Sequence, residues 1–190
     1  MEMYIYKCEN CLSKDICDEL INILQKKEGN ELTLFKTPYT YSESVTRQNL
    51  IVDNINRLLT KHIDIYSKNI QIIDNIIYYP VIPEHIFKTN FQVKCITNQN
   101  NVNTRFLYDK FYIEDNYFTN KLTFIIYLND NFDGGETVFI NGVTIIPKIG
   151  SLLIFPTEWT YAYKENNLLN ETDIKYIIKG CLYQSDRFTT

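Results

Sequence analysis

Apolar residues in the first third of the chain recur every three or four positions. After Ser13 they fall at Ile16, Cys17, Leu20, Ile21 and Leu24, a single stripe on a helix. Ser13 is the expected N-cap, its hydroxyl accepting from the free amides of the first turn, and Gly29 is the expected stop. A second helix is predicted from about 44 to 66, with Leu50, Ile51, Ile55, Leu58, Leu59 and Ile63 along one side. The stretch "KTPYTYSES" between them reads as a polar, aromatic loop. From about Ile70 onward the period changes to two, or to short runs rich in Ile, Val, Tyr and Phe. The predicted strands are "IIYYPV", "FQVKCI", "RFLYDKFYI", "LTFIIYLN", "ETVFI", "VTIIP", "SLLIFP", "TYAYK" and "IKYIIKGCLY". Turn residues separate them, with Asn141-Gly142 the strongest hairpin signal. Helices followed by many short strands predict an α+β protein, an antiparallel sandwich or barrel on a helical support. The expected organisation is one domain over 1–190, with helical support at about 12–66 and the β part at about 70–185.

Composition narrows the function classes. A net charge of −4 and the lack of a Lys/Arg run argue against binding nucleic acid through its phosphates. No apolar run approaches the roughly 18 residues of a membrane helix. The opening "MEMYIYKCEN" does not read as a secretory leader. The expected location is therefore intracellular, cytoplasmic or nuclear. Five cysteines, an odd number, do not make a disulfide framework. Cys8-x-x-Cys11 looks like half of a zinc knuckle, but no second pair follows, so all five are expected to be buried reduced thiols. Asn170-Glu171-Thr172 matches a glycosylation acceptor, which matters only in a secreted chain. Abundant Tyr, Asn and Ile with scarce Ala suit an AT-rich genome, such as that of a large DNA virus or a parasite.

Three stretches carry a resemblance: "LTFIIYLNDNFDGGETVF", "IPKIGSLLIFP" and "KYIIKGCLY", in that order and spacing. Together they resemble the 2-oxoglutarate and iron(II)-dependent dioxygenases of the prolyl 4-hydroxylase type. The match runs over roughly residues 91–184, and "LSKDICDELI" is similar to the start of that family. The resemblance implies a double-stranded β-helix, or jelly roll, supported by N-terminal helices. Paired glycines suit its tight reversals, because they accept φ > 0 where a side chain would clash. The same "DGGET" also fits an ordinary hairpin, so it speaks for fold and not for activity.

Activity in the family rests on two imidazoles and a carboxylate around iron(II), with open positions for 2-oxoglutarate and dioxygen. The resemblance places its His-x-Asp strand on Leu107-Tyr108-Asp109, where the carboxylate survives and leucine replaces imidazole. The distal histidine falls on Tyr161 or Tyr163 in "EWTYAYKEN", with Tyr163 the better fit. Lys175 matches the family's 2-oxoglutarate lysine, and Cys95 stands where a 2-oxoglutarate-contacting tyrosine is expected. The chain's two histidines do not repair this site. His62-Ile63-Asp64 lies in the second predicted helix, where i and i+2 point about 200° apart. Its expected place is a helix edge beside Leu58 and Leu59. His85 has no acid two residues on. Leucine has no lone pair, and a phenol near pKa 10 is a poor ligand at neutral pH. No metal is expected at Leu107, Asp109 and Tyr163, and only Lys175 is left for 2-oxoglutarate.

The leading expectation is thus a pseudo-enzyme that binds protein. Its partner would be a host prolyl hydroxylase or a protein of oxygen or innate sensing, if the source is viral. A cleft lined by Tyr108, Tyr112, Tyr161 and Tyr163 would suit such contacts, or those rings simply cover the barrel mouth. The rival is a working peptidyl prolyl or lysyl hydroxylase using iron(II) and 2-oxoglutarate with replacement ligands such as Asp109 and Glu165. A third reading is a jelly roll holding another small ligand in the vacated pocket.

Overall fold

The computed structural model describes residues 4–26, 30–34, 43–74, 86–88, 91–100, 105–109 and 118–185. It is an antiparallel jelly roll backed by two helices. In chain order the elements are β1 (Tyr6–Cys8), α1 (Lys14–Gln25), β2 (Glu31–Leu34), α2 (Glu43–Asp74), β3 (Ile86–Lys88), β4 (Phe91–Ile96) and β5 (Phe118–Tyr127). They continue with β6 (Thr137–Phe139), β7 (Thr144–Ile145), β8 (Leu152–Pro156), β9 (Tyr163–Glu165) and β10 (Lys175–Ser185). A large sheet runs β1-β8-β5-β10-β4-β2, with β3 also on β10, and a small sheet runs β7-β6-β9.

The central strands read as unbroken apolar runs because both of their faces are covered. Alternate residues go to opposite sides. Phe124, Ile126, Leu128, Leu152, Ile154, Tyr176 and Ile178 join one core with the helices. Ile125, Tyr127, Leu153, Phe155 and Ile177 join a second core that includes Phe139, Ile145 and Tyr163 from the small sheet. Helix α1 contributes Cys17, Leu20 and Leu24 to the first core. Helix α2 adds Ile51, Val52, Ile55, Leu59 and Tyr66. A bidentate pair from Arg47 to Glu19, 2.7 Å at each nitrogen, ties the helices together.

Several expectations need correction. Helix α2 runs on to Asp74, past the expected end at 66, so residues 70–74 are helical. Leu50 is 47% exposed, because the packed stripe runs through Ile51 and Ile55 one step around the axis. Ser13 is the N-cap of α1, but its side chain makes no capping bond. Strands β1 and β2 interrupt the expected helical third, each pairing at an edge of the large sheet. The stretches 76–81 and 110–113, together with Gly29, His85 and Tyr112, lie outside the described residues. Among those described, no helix is long and apolar enough to cross a membrane.

The Asn141-Gly142 signal is realised as the β6–β7 hairpin, with Gly142 at φ 89°. Gly134 and Gly135 also have positive φ, 78° and 68°, but they do more than turn the chain. A Cβ on Gly134 would lie 2.5 Å from the Asn167 carbonyl, and Gly134 pairs with Leu168. The double glycine lets the loop before β10 pack flat against the end of β6. That close approach shapes the pocket described next.

Candidate functional site

The inferred iron position lies between the large and small sheets. The 105–109 segment meets β9 through an isolated antiparallel bridge between Leu107 and Tyr163, closed by two backbone bonds of 2.8 and 2.9 Å. Residues opposite one another in such a bridge share a face, as do positions i and i+2 of an extended segment. Leu107, Asp109 and Tyr163 are thereby brought to one side. Leu107 is 47% exposed at the rim, whereas Tyr163 is buried under it.

The Asp109 carboxylate is held by three groups. Its Oδ1 accepts from Lys179 Nζ at 2.6 Å. Its Oδ2 accepts from the Thr123 and Tyr163 hydroxyls, both at 3.0 Å. Lys179 also stands 5.2 Å from the Tyr163 ring centre. Burial first, then the charges of Asp109 and Glu165, push the Tyr163 phenol well above its ordinary pKa. It therefore donates as a neutral hydroxyl and offers no phenolate.

A second ion pair lies deeper. Lys175 pairs with Glu165, the two side chains only 1% and 2% exposed. Lys175 Nζ also donates to the Gly135 carbonyl at 2.6 Å and sits 5.1 Å from the Tyr127 ring centre. Glu165 accepts from Thr137 Oγ1 at 3.0 Å, and Thr137 meets the Tyr127 hydroxyl at 2.7 Å. A Cβ on Gly135 would press on Leu168 Cδ2 at 2.9 Å and approach the Lys175 side chain at 3.5 Å. Gly135 thus forms the wall against which Lys175 lies.

Both pairs border a cleft of about 240 Å³ whose lining includes Lys94, Cys95, Ile125, Tyr163, Glu165 and Lys179. Cys95 stands in this lining, its thiol pushed up mainly by burial. Of the three expected tyrosines among the described residues, only Tyr163 lines this cleft. Tyr161 packs edge-on to Tyr4 at 6.2 Å, Tyr108 is exposed, and Tyr112 lies outside the described residues.

Iron does not fit this donor set. Leu107 has no lone pair, Tyr163 is a buried neutral phenol, and Asp109 already meets an ammonium and two hydroxyls. A 2-oxoglutarate carboxylate reaching Lys175 would have to displace Glu165. Sequence reasoning did not see Lys179, nor that Glu165 pairs with Lys175. The signal was present: Lys175 and Lys179 are four apart on a strand, and Tyr163 and Glu165 two apart, so each couple shares a face.

Histidine 62 is not at a helix edge. It is 7% exposed and its Nδ1 meets the Tyr6 hydroxyl at 2.8 Å, on the helix side of the large sheet. Its pKa is lowered, by burial first and then by Lys61. Cys8 and Cys11 are half-buried in place of the expected full burial, as is Cys95; Cys17 and Cys181 are buried.

No protein-family model and no curated protein matches this chain. Solved structures do match it in fold. It is similar to the viral collagen prolyl hydroxylase of Paramecium bursaria Chlorella virus-1, solved as a 2OG complex, with a TM-score of 0.68 and 18% identity over 95% of each chain. It is similar to a Trichoplax adhaerens prolyl hydroxylase bound to a hypoxia inducible factor peptide fragment, at a TM-score of 0.61 and 15% identity, over 95% of this chain and 84% of that one. A Pseudomonas putida prolyl-4-hydroxylase matches at 0.55 and 13% identity, over 95% of this chain and 92% of that one. The chain shares the prolyl-hydroxylase-like oxygenase fold with these proteins.

Proposed function

We propose that this chain is a prolyl-hydroxylase-like pseudo-enzyme that acts by binding protein. The observation carrying this reading is the pair of lysines: Lys179 neutralises Asp109, and Lys175 is neutralised by Glu165. The first ammonium takes the charge role that iron would have beside Asp109. The second carboxylate takes the role that 2-oxoglutarate would have beside Lys175. The protein has supplied its own cation and its own anion, and the pocket is stable without either cofactor.

Protein binding is supported by the rim of the same cleft. Phe106, Leu107 and Tyr108 are consecutive, and each is more than a third exposed. Lys164 Nζ covers the Phe106 ring at 5.5 Å. Exposed apolar side chains beside a cleft are a feature of interaction sites. The partner class we favour is a prolyl hydroxylase or oxygen-sensing protein of a host, consistent with a fold also used by a virus.

The test is to incubate purified protein with iron(II) or manganese(II) and 2-oxoglutarate, following thermal stability and succinate release with prolyl peptides. The expected result is no stabilisation and no succinate. Turnover that Asp109→Ala abolishes would establish the rival, a dioxygenase using Asp109 and Glu165, both of which act on Tyr163. Binding to a host prolyl hydroxylase is measured in parallel, with Leu107→Asp as the variant expected to lose it.

A further inference from the structure

Away from this cleft, on the helix side of the large sheet, three metal-donor side chains from distant parts of the chain converge. The Cys8 and Cys11 sulfurs and a ring nitrogen of His62 all lie within 4.8 Å of one another. The structure assigns to Cys8, Cys11 and His62 a zinc site, with water in the fourth position, that staples edge strand β1 to helix α2. This inference does not depend on the reading of the oxygenase pocket.

The spacing is close to what zinc needs. Tetrahedral zinc, with Zn–S near 2.3 Å and Zn–N near 2.0 Å, puts its sulfur and nitrogen ligands about 3.5–3.8 Å apart. Donors already within 4.8 Å must contract by about 1.3 Å at most. Two thiolates and an imidazole are also a donor set that selects zinc over magnesium or calcium.

The loop is built independently of any ion. Asn10 takes a left-handed conformation, φ 55°, which turns Cys8 and Cys11 toward the same place. The Gly150 carbonyl accepts from both Cys11 N, at 2.8 Å, and Leu12 N, at 3.0 Å. Gly150 has φ 70° and no room for a Cβ, since Leu12 O would be 2.1 Å away, so this clamp is specific to glycine.

The imidazole is equally prepared. Its bond to the Tyr6 hydroxyl, 2.8 Å, is the kind of outer contact that orients a metal-bound histidine. Zinc binds the two sulfurs as thiolates, their protons leaving to solvent.

Cobalt(II), a spectroscopic stand-in for zinc, is titrated into reduced, chelator-treated full-length protein. Expected are one equivalent bound, sulfur-to-cobalt charge-transfer absorption, four-coordinate d–d bands, and complete displacement by zinc. Zinc at a hundredfold excess over its Kd should raise Tm by about 5–10 °C. Cys8→Ser, Cys11→Ser and His62→Gln should each weaken zinc binding more than about 100-fold, and Tyr6→Phe by about 10–100-fold. Charge-transfer bands that survive in Cys8→Ser/Cys11→Ser protein would overturn the assignment. So would wild-type protein that takes up no cobalt and only closes a Cys8–Cys11 disulfide on oxidation. The wild-type titration decides the matter even if a variant fails to fold.

Discussion

The two faces of the large sheet each carry a cluster of side chains able to ligate metal, and the two are constructed in opposite ways. On the face toward the small sheet, Asp109 and Glu165 each have a lysine within bonding distance. On the face toward the helices, the donor atoms of Cys8, Cys11 and His62 lie within 4.8 Å of one another. Burying a carboxylate without a counter-charge is costly, so an oxygenase pocket that loses its iron must either fill with apolar residues or recruit a cation. Under the proposed function both have happened in this chain, with Leu107 for one imidazole and Lys179 beside Asp109. Thiols face no such demand, since they can remain protonated until an ion arrives. A metal-like constellation therefore signals a metal only when no ammonium of its own chain already holds the donors.

The largest effect that separates the two clusters is expected at the deeper pair. Lys175→Met leaves Glu165 buried without its counter-ion and should cost about 3–5 kcal/mol. In a chain of 190 residues that is a fall in Tm on the order of 10 °C, read by calorimetry. Adding Glu165→Leu should restore much of the loss, because an apolar pair of similar volume can replace a buried ion pair. A single variant as stable as the parent would remove the pair's structural role.

The shallower pair should matter less. Lys179 and Asp109 are 16% and 22% exposed, so solvent screens them and Lys179→Met is expected to cost about 1–3 kcal/mol. That variant also sharpens the comparison. Leu107→His/Tyr163→His protein restores two imidazoles, yet manganese should stabilise it only once Lys179→Met has also freed Asp109. Stabilisation by manganese with Lys179 intact would show that the ammonium does not block the site.

Tyr163→Phe should cost about 1 kcal/mol, one hydroxyl bond to Asp109. The same phenol gives a pH signature. Its folded pKa, like that of Tyr127, is raised above 10 by burial. The stability this brings is complete below pH 10 and is lost as pH rises through the folded value. In an absorbance titration near 295 nm, Tyr127 and Tyr163 should stay silent while exposed tyrosines ionise, appearing only on unfolding. A Tyr163→Phe titration that loses amplitude before unfolding would contradict this.

The fold was readable because its signals are local. Stripes at three-four spacing in α1 and α2, the Asn141-Gly142 hairpin and the unbroken apolar runs of β5, β8 and β10 each express one neighbourhood. The order of "DGGET", "IPKIG" and "KYIIK" then matched one architecture. The failures are long-range. Leu50 and Ile51 are both apolar, and only the packed tertiary face tells which is buried. Leu107, Asp109 and Tyr163 could be placed by motif register, but Lys179 could not. It reaches Asp109 across 70 positions, and its spacing of four from Lys175 gives the shared face but not the partner. His62 and the Cys8–Cys11 pair are separated by a helix and a strand. Spacing rules for zinc look for a second nearby pair and so pass over a lone histidine.

The smallest expected effect is the most discriminating. Cys8 is half-buried at the end of an edge strand, and its thiol makes a weak 3.6 Å contact to the Glu9 carbonyl. In chelator, Cys8→Ser should therefore change stability by no more than about 0.5 kcal/mol, as for other surface positions. With zinc present, the parent alone gains stability, and the gap between the two proteins should open with zinc concentration. The inner cluster must behave the other way, since Lys175→Met should be equally damaging with or without zinc. A Cys8→Ser protein already strongly destabilised in chelator would mean that the outer cluster is held together by packing and not by an ion. The contrast between a pocket that carries its own cation and a pocket that awaits one would then fail.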